Sequence, residues 1–147
     1  MTHTSKGTKS HFSGCTAELY IAYLLSERGC VVSYPLFTQS KYDLIVDYEG
    51  KLYKIQVKKA TLSSANGHPF IQVRLGGAGR PKYKEGDYDY LAITYEGSVW
   101  VLPYEETKDK SSMSFSIFSG EDSKGGKYLT KFSMENFLNE ITTKRAQ

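Results

Sequence analysis

The stretch Tyr42-Asp-Leu-Ile-Val-Asp-Tyr48, Glu49-Gly50, Lys51-Leu-Tyr-Lys-Ile-Gln-Val-Lys-Lys59 limits what this chain can fold into more than any other segment. Two runs rich in aliphatic and aromatic residues flank a two-residue Glu-Gly connection, which is the pattern of a tight β-hairpin. A two-residue turn sets Tyr48 against Lys51, and stepping outward sets Asp43 directly opposite Gln56. Side chains alternate along a strand, so Asp43, Ile45, Lys54, Gln56 and Lys58 share one face. Leu44, Val46, Tyr53, Ile55 and Val57 form the other, a core face. Opposed Cβ atoms lie roughly 4.5–5.5 Å apart and diagonal ones roughly 7–8 Å. Asp43, Gln56 and Lys58 therefore converge, and a one-residue slip would separate them. Taken alone, the pattern is also that of an ordinary half-exposed hairpin with its polar side in solvent.

The rest of the chain supplies partners for that hairpin. Residues 1–12 are polar and without periodicity, so they read as a loose tail, with residues 13–147 as a single domain. From Gly14 to Arg28, Ala17, Ile21, Leu24, Leu25 and Arg28 recur at helical spacing, with Ser13 as the N-cap and Gly29 as the C-cap. Cys30 to Tyr34 reads as a short strand stopped by Pro35, and Phe70 to Leu75 as a further strand. Tyr90–Tyr95 and Ser98–Pro103 repeat the hairpin pattern around Glu96-Gly97. Gly76 to Arg80 is a glycine-rich loop without phosphate-loop spacing. Met134, Phe137, Leu138 and Ile141 form the stripe of a closing helix capped by Ser133.

Charge separates the chain into two regimes. Residues 51–84 carry eight basic side chains and no Asp or Glu, whereas the last 63 residues hold eleven acids and seven bases. A cationic middle segment suits a polyanion, because Lys and Arg neutralising phosphates supply most sequence-independent nucleic-acid affinity. The competing reading is a solvated basic surface. No run of apolar residues is long enough to span a bilayer, and the N-terminus lacks a secretory signal core. Cys15 and Cys30 form no disulfide framework and no metal spacing, and His3, His11 and His68 have no ligand spacing either. A cytoplasmic protein with reduced thiols is expected.

Glu18 shares a helical stripe with Ile21, Ala22 and Leu25. An acid on a stripe that packs against a sheet is costly unless it is paired or binds a metal. The order is thus a helix with an inward acid, a strand, and then an acid opposite Gln-x-Lys. A carboxylate and an amide carbonyl are hard oxygen donors of the kind Mg²⁺ takes together with waters and substrate phosphate.

On Gly14-Cys-Thr-Ala-Glu18, Tyr42-Asp43-Leu-Ile-Val and Ile55-Gln56-Val-Lys58, the chain resembles the PD-(D/E)XK nuclease superfamily. Tyr42 stands where that family usually has Pro, and Gln56 where it usually has an acid. Gln in this place is similar to the small intron-encoded homing endonucleases of cyanobacterial type; archaeal Holliday-junction resolvases share the layout but carry Glu. The resemblance implies an α/β fold with a restriction-endonuclease-like core, a central mixed sheet flanked by helices. It further implies a Mg²⁺ (or Mn²⁺) dependent endonuclease on double-stranded DNA, with no small-molecule cofactor. Asp43 would be the principal metal ligand, Gln56 and Glu18 would complete the site, and Lys58 would stabilise the phosphate or position the attacking water. Lys59 points to the other face. Arg74, Arg80, Lys82 and Lys84 are the candidates for DNA contact. One active site per chain implies a homodimer or homotetramer, built on the second half of the chain, for a double-strand cut. A junction resolvase and a non-catalytic DNA-binding module are the rival readings, the second permitted by Gln56.

Overall fold

The computed structural model describes residues 6–37, 39–76, 82–118 and 123–146, with the side chains of residues 6–13 and 144–146 left aside. The first element is helix α1, Lys6–Glu27. It begins well before Gly14, so the expected loose tail is helical from Lys6 and Ser13 lies inside the helix rather than capping it. Residues 6–12 lack an apolar stripe and gave no periodic signal. Once the packed half is nucleated, each further residue adds a hydrogen bond at little cost, which carries the helix backward. At the other end Gly29, with φ of +85°, makes the expected stop.

Strands β1 (Val31–Ser33), β2 (Leu44–Tyr48) and β3 (Lys51–Lys59) then form an antiparallel meander. Strands β6 (Tyr90–Tyr95) and β7 (Ser98–Pro103) complete a five-stranded sheet of order β1-β2-β3-β6-β7. The β3–β6 pair is parallel and the others antiparallel, so the sheet is mixed. Between β3 and β6 the chain makes an excursion into β4 (Thr61–Ala65) and β5 (His68–Arg74). After the short helix α2 (Tyr104–Thr107), β8 (Ser112–Phe115) joins them in a separate sheet of order β4-β5-β8. Helices α3 (Lys124–Thr130) and α4 (Met134–Ala146) close the chain. Strands β4 and β8 and helices α2 and α3 were not signalled by the sequence pattern.

Each face of the central sheet has its own core. On one side Ile21 and Leu25 of α1 and Phe137 and Ile141 of α4 pack on Leu44, Val46, Ile55 and Val57. On the other, Leu91, Ile93 and Leu102 meet Ile71, Val73, Met113 and Phe115 of the second sheet and Leu129 of α3. Ser133 Oγ accepts the Asn136 N–H at 3.1 Å, so α4 carries the expected cap. The hairpin face bearing Gln56 is thus the face on which the second sheet lies, not one left to water.

Candidate active site

The hairpin register is the one the Glu49-Gly50 turn dictates. Glu49 and Gly50 have φ of +53° and +91°, a turn with both central residues left-handed. The ladder runs Tyr48↔Lys51, Asp47↔Leu52, Val46↔Tyr53, Ile45↔Lys54 and Leu44↔Ile55. It stops there, one step short of Asp43 and Gln56. The Asp43 N–H donates to the Ile55 carbonyl at 2.9 Å, and Asp43 Oδ2 accepts the Val57 N–H at 2.8 Å. Asp43 therefore straddles Gln56 instead of facing it as a ladder partner. A short carboxylate can take a backbone donor that a further strand residue would otherwise have claimed. The bond also fixes the carboxylate on the backbone between Gln56 and Lys58.

Glu18 reaches the same place from α1. It shares a hydrogen bond with Asp43, and its pKa is raised from 4.5 to about 7, first by burial and then by the neighbouring Asp43 charge and that hydrogen bond. Asp43 is also raised, by burial; the Val57 N–H, the hydrogen bond from Glu18 and the Lys58 charge oppose this. Two carboxyls in contact cannot both ionise cheaply, so the pair holds a proton near neutrality. A cation arriving between them would take that proton's place.

Gln56 is buried at 7 % exposure, and Lys58 is half-buried. In the β3–β6 ladder Gln56 pairs with Leu91 and Lys58 with Ile93, which places both side chains on the face that the second sheet covers. Lys58 Nζ lies 5.6 Å from the centre of the Tyr83 ring and within electrostatic reach of Asp43. Lys59 is exposed on the opposite face, as alternation requires. The structure thus gathers Glu18, Asp43, Gln56 and Lys58 at one end of the β2–β3 hairpin.

Two neighbours were not singled out by sequence. Tyr83 packs against the second core, edge-on to Tyr88, and also sets its ring against the Lys58 ammonium. Tyr34 lies within reach of Glu18: its phenol is pushed up by burial first, then by the charges of Glu18 and Cys15. Neither position carries a spacing signal, because both come from loops.

Of the cationic candidates, Lys82 and Lys84 are exposed and flank Tyr83 in the sequence. Lys82 Nζ is 3.3 Å from the Asp109 carbonyl. Arg74 is exposed at the end of β5, across from Ser112 on the second sheet. Arg80 lies outside the described residues. Cys15 is half-buried and Cys30 buried, and among the described residues neither is in a disulfide. Among the described residues no helix is long and apolar enough to cross a membrane.

The donor set fits a hard divalent cation. Among the described residues no cluster of three or more His, Cys, Asp or Glu side chains is present. Any protein cage here therefore rests on the two carboxylates, with Gln56 next in the strand to the Val57 N–H that holds Asp43. Few protein donors, with open positions left for water and phosphate, is what Mg²⁺ prefers.

A mixed sheet with an acid-bearing helix on one face and Asp, Gln-x-Lys on one hairpin defines a nuclease core. Residues 8–134 match the family model described as PD-(D/E)XK endonuclease, and the chain belongs to that family of DNA-cleaving endonucleases. It is 45% identical over 103 residues to Protein 5.3 of Escherichia phage T7, a match that spans 70% of this chain and 87% of that protein. Its fold is similar to that of a bacterial homing endonuclease, I-Ssp6803I, with a TM-score of 0.71 and 21% identity over 98% of this chain and 96% of that one.

Proposed function

We propose that the chain hydrolyses phosphodiester bonds of double-stranded DNA with Mg²⁺ (or Mn²⁺), using Glu18, Asp43, Gln56 and Lys58. The observation that carries this is the Glu18–Asp43 pair: two carboxyls sharing a hydrogen bond, with Asp43 fastened to the backbone beside Lys58. When bound, the ion supplies Lewis-acid polarisation of the phosphate and acidifies a coordinated water. Asp43 would be the principal ligand, its carboxylate oriented by the Val57 N–H. Glu18, once deprotonated, would be the second carboxylate, and the Gln56 amide oxygen would support the site without adding charge. Lys58 offsets the negative charge that develops on the phosphate; Tyr83 restricts where its ammonium can sit. Arg74, Arg80, Lys82 and Lys84 neutralise flanking phosphates.

The finer reading is a sequence-specific homing-type endonuclease, working in reduced cytoplasm as a homodimer or homotetramer so that both strands are cut. Its support is the likeness to a homing endonuclease fold together with an amide at position 56. The test is cleavage of a plasmid library with Mg²⁺, against a four-way junction, by wild type, Asp43→Ala and Lys58→Ala. Metal-dependent cutting at one plasmid site that both variants lose supports the reading. Junction-only cutting replaces homing by a resolvase. Gln56, which takes one negative charge from the metal site, favours one further alternative. Wild type that binds DNA and never cuts it is a binding module on a nuclease fold.

A further inference from the structure

The loop between β1 and Asp43 carries the most exposed apolar side chains among the described residues. Leu36 is 91% exposed and Phe37 78%. Pro35 precedes them, and no Asp or Glu occurs between Glu27 and Asp43, so nothing on this loop repels a phosphate backbone. Both ends of the loop lie near the proposed catalytic carboxyls. Tyr34 stands within electrostatic reach of Glu18, and Tyr42 is covalently next to Asp43. The Tyr42 ring lies 5.8 Å from Lys54 Nζ, on the hairpin face that holds Gln56 and Lys58. Pro35, Leu36, Phe37, Gln39, Ser40 and Tyr42 together line an open hollow of about 650 Å³. The loop is held in shape locally: the Ser40 N–H donates to the Phe37 carbonyl at 3.4 Å, and Ser40 Oγ accepts the Tyr42 N–H at 3.3 Å.

Two large apolar residues this exposed, on a preorganised turn beside the carboxyls that would grip a phosphate, ask for an apolar partner at that place. Nucleic acid offers one in the faces of its stacked bases. Proteins that insert Pro, Leu or Phe between base steps unstack and kink the duplex there. From the nuclease reading above, on which this inference rests, we infer that Pro35-Leu36-Phe37 is a wedge that enters a base step next to the scissile phosphate. Phe37 and Leu36 take the stacking contact, and Gln39 and Ser40 offer hydrogen bonds to the opened base edge. The loop is thereby a second DNA contact, distinct from the cations of residues 74–84. It adds readout by deformability, since flexible steps open most easily.

The test uses the full chain bound to a linearised plasmid with Ca²⁺ in place of Mg²⁺, probed with permanganate, which oxidises unstacked thymines. Wild type is expected to make thymines at bound sites hyperreactive. The double variant Leu36→Ser/Phe37→Ser, which alters only exposed side chains and whose folding is checked by circular dichroism, is expected to lose that signal. Its kcat/KM on intact duplex should fall by about tenfold or more, because the cost of unstacking the step is no longer offset by the inserted side chains. A mismatched pair placed at the same step should restore the rate. Hyperreactivity that is absent in wild type or unchanged in the double variant overturns the wedge. So does a double variant whose loss of cleavage tracks a fall in oligomer mass, which would assign the loop to a contact between copies. In each of these cases Asp43-dependent cutting still stands by itself. Failure to bind DNA at all overturns both readings.

Discussion

The shared proton of Glu18 and Asp43 gives the folded protein a dependence on pH that can be worked out in advance. In the unfolded chain Glu18 titrates near 4.5, and in the folded one near 7. Within that window the folded state binds more protons than the unfolded state, so metal-free stability falls as pH rises and is lost progressively toward pH 7. At roughly 1.4 kcal/mol per pH unit the ceiling is about 3 kcal/mol; Glu18 is only half-buried, so solvent screening leaves about 1–2 kcal/mol. The perturbation is Glu18→Gln, which removes the titrating group and keeps its shape. The assay is urea unfolding followed by the fluorescence of Trp100, the single tryptophan, at pH values across the window in EDTA. With a urea slope of about 2 kcal/mol/M, the wild-type midpoint should drop by about 0.5–1 M between the two ends while the variant stays nearly level. Saturating Mg²⁺ at the alkaline end should recover the lost stability in wild type and much less in the variant. A wild-type midpoint that does not fall, or a Glu18→Gln protein that falls as steeply, refutes the shared proton and with it the picture of a site waiting for a cation.

Three further outcomes follow from the geometry. Asp43→Ala leaves the half-buried Val57 N–H without its carboxylate, so it should destabilise the protein by about 1–3 kcal/mol in thermal or urea unfolding as well as abolish cleavage. Gln56→Glu restores a third negative charge, so isothermal titration should give tighter Mg²⁺ binding, while metal-free stability at neutral pH drops through like-charge repulsion. A Cβ on Gly125 would stand 2.5 Å from the Ser116 carbonyl oxygen, so Gly125→Ala should cost about 1–3 kcal/mol by prising α3 from β8, with the cleavage rate of the surviving folded protein unchanged.

How much of this was legible in the sequence depended on how local the determining contacts are. The hairpin register is set by two turn residues, and every pair from Tyr48↔Lys51 to Leu44↔Ile55 came out as the turn requires. Glu18 was legible because an acid beside Ile21 and Leu25 contradicts its stripe. What failed was the last step at Asp43, where a side chain competes with the ladder for the Val57 N–H, a choice no alternation rule contains. Of the second sheet β5 was legible as the strand from Phe70, whereas β4 and β8 were missed for a different reason. Its Asn66-Gly67 turn, with φ of +51° and +78°, is a strong hairpin signal, but Thr61–Ala65 shows almost no apolar alternation and Ser112–Phe115 is only four residues long. Its inner residues Ile71, Val73, Met113 and Phe115 bury only by meeting Leu91 and Leu102 across the sheet, which is information distant in sequence.

Parallel strands cannot be joined by a tight turn, so the chain has to leave the sheet between β3 and β6 and come back. Here that obligatory detour is where β4 and β5 sit. Glu18, Asp43, Gln56 and Lys58 all precede it, within α1 and the β2–β3 hairpin. The residues proposed to do the cutting and the residues of the detour therefore occupy separate stretches of the chain. The detour still reaches that set at one described point, where the Tyr83 ring lies 5.6 Å from Lys58 Nζ, so a change in the stretch from Thr61 to the start of β6 is felt at the site through the lysine and not through the carboxyls.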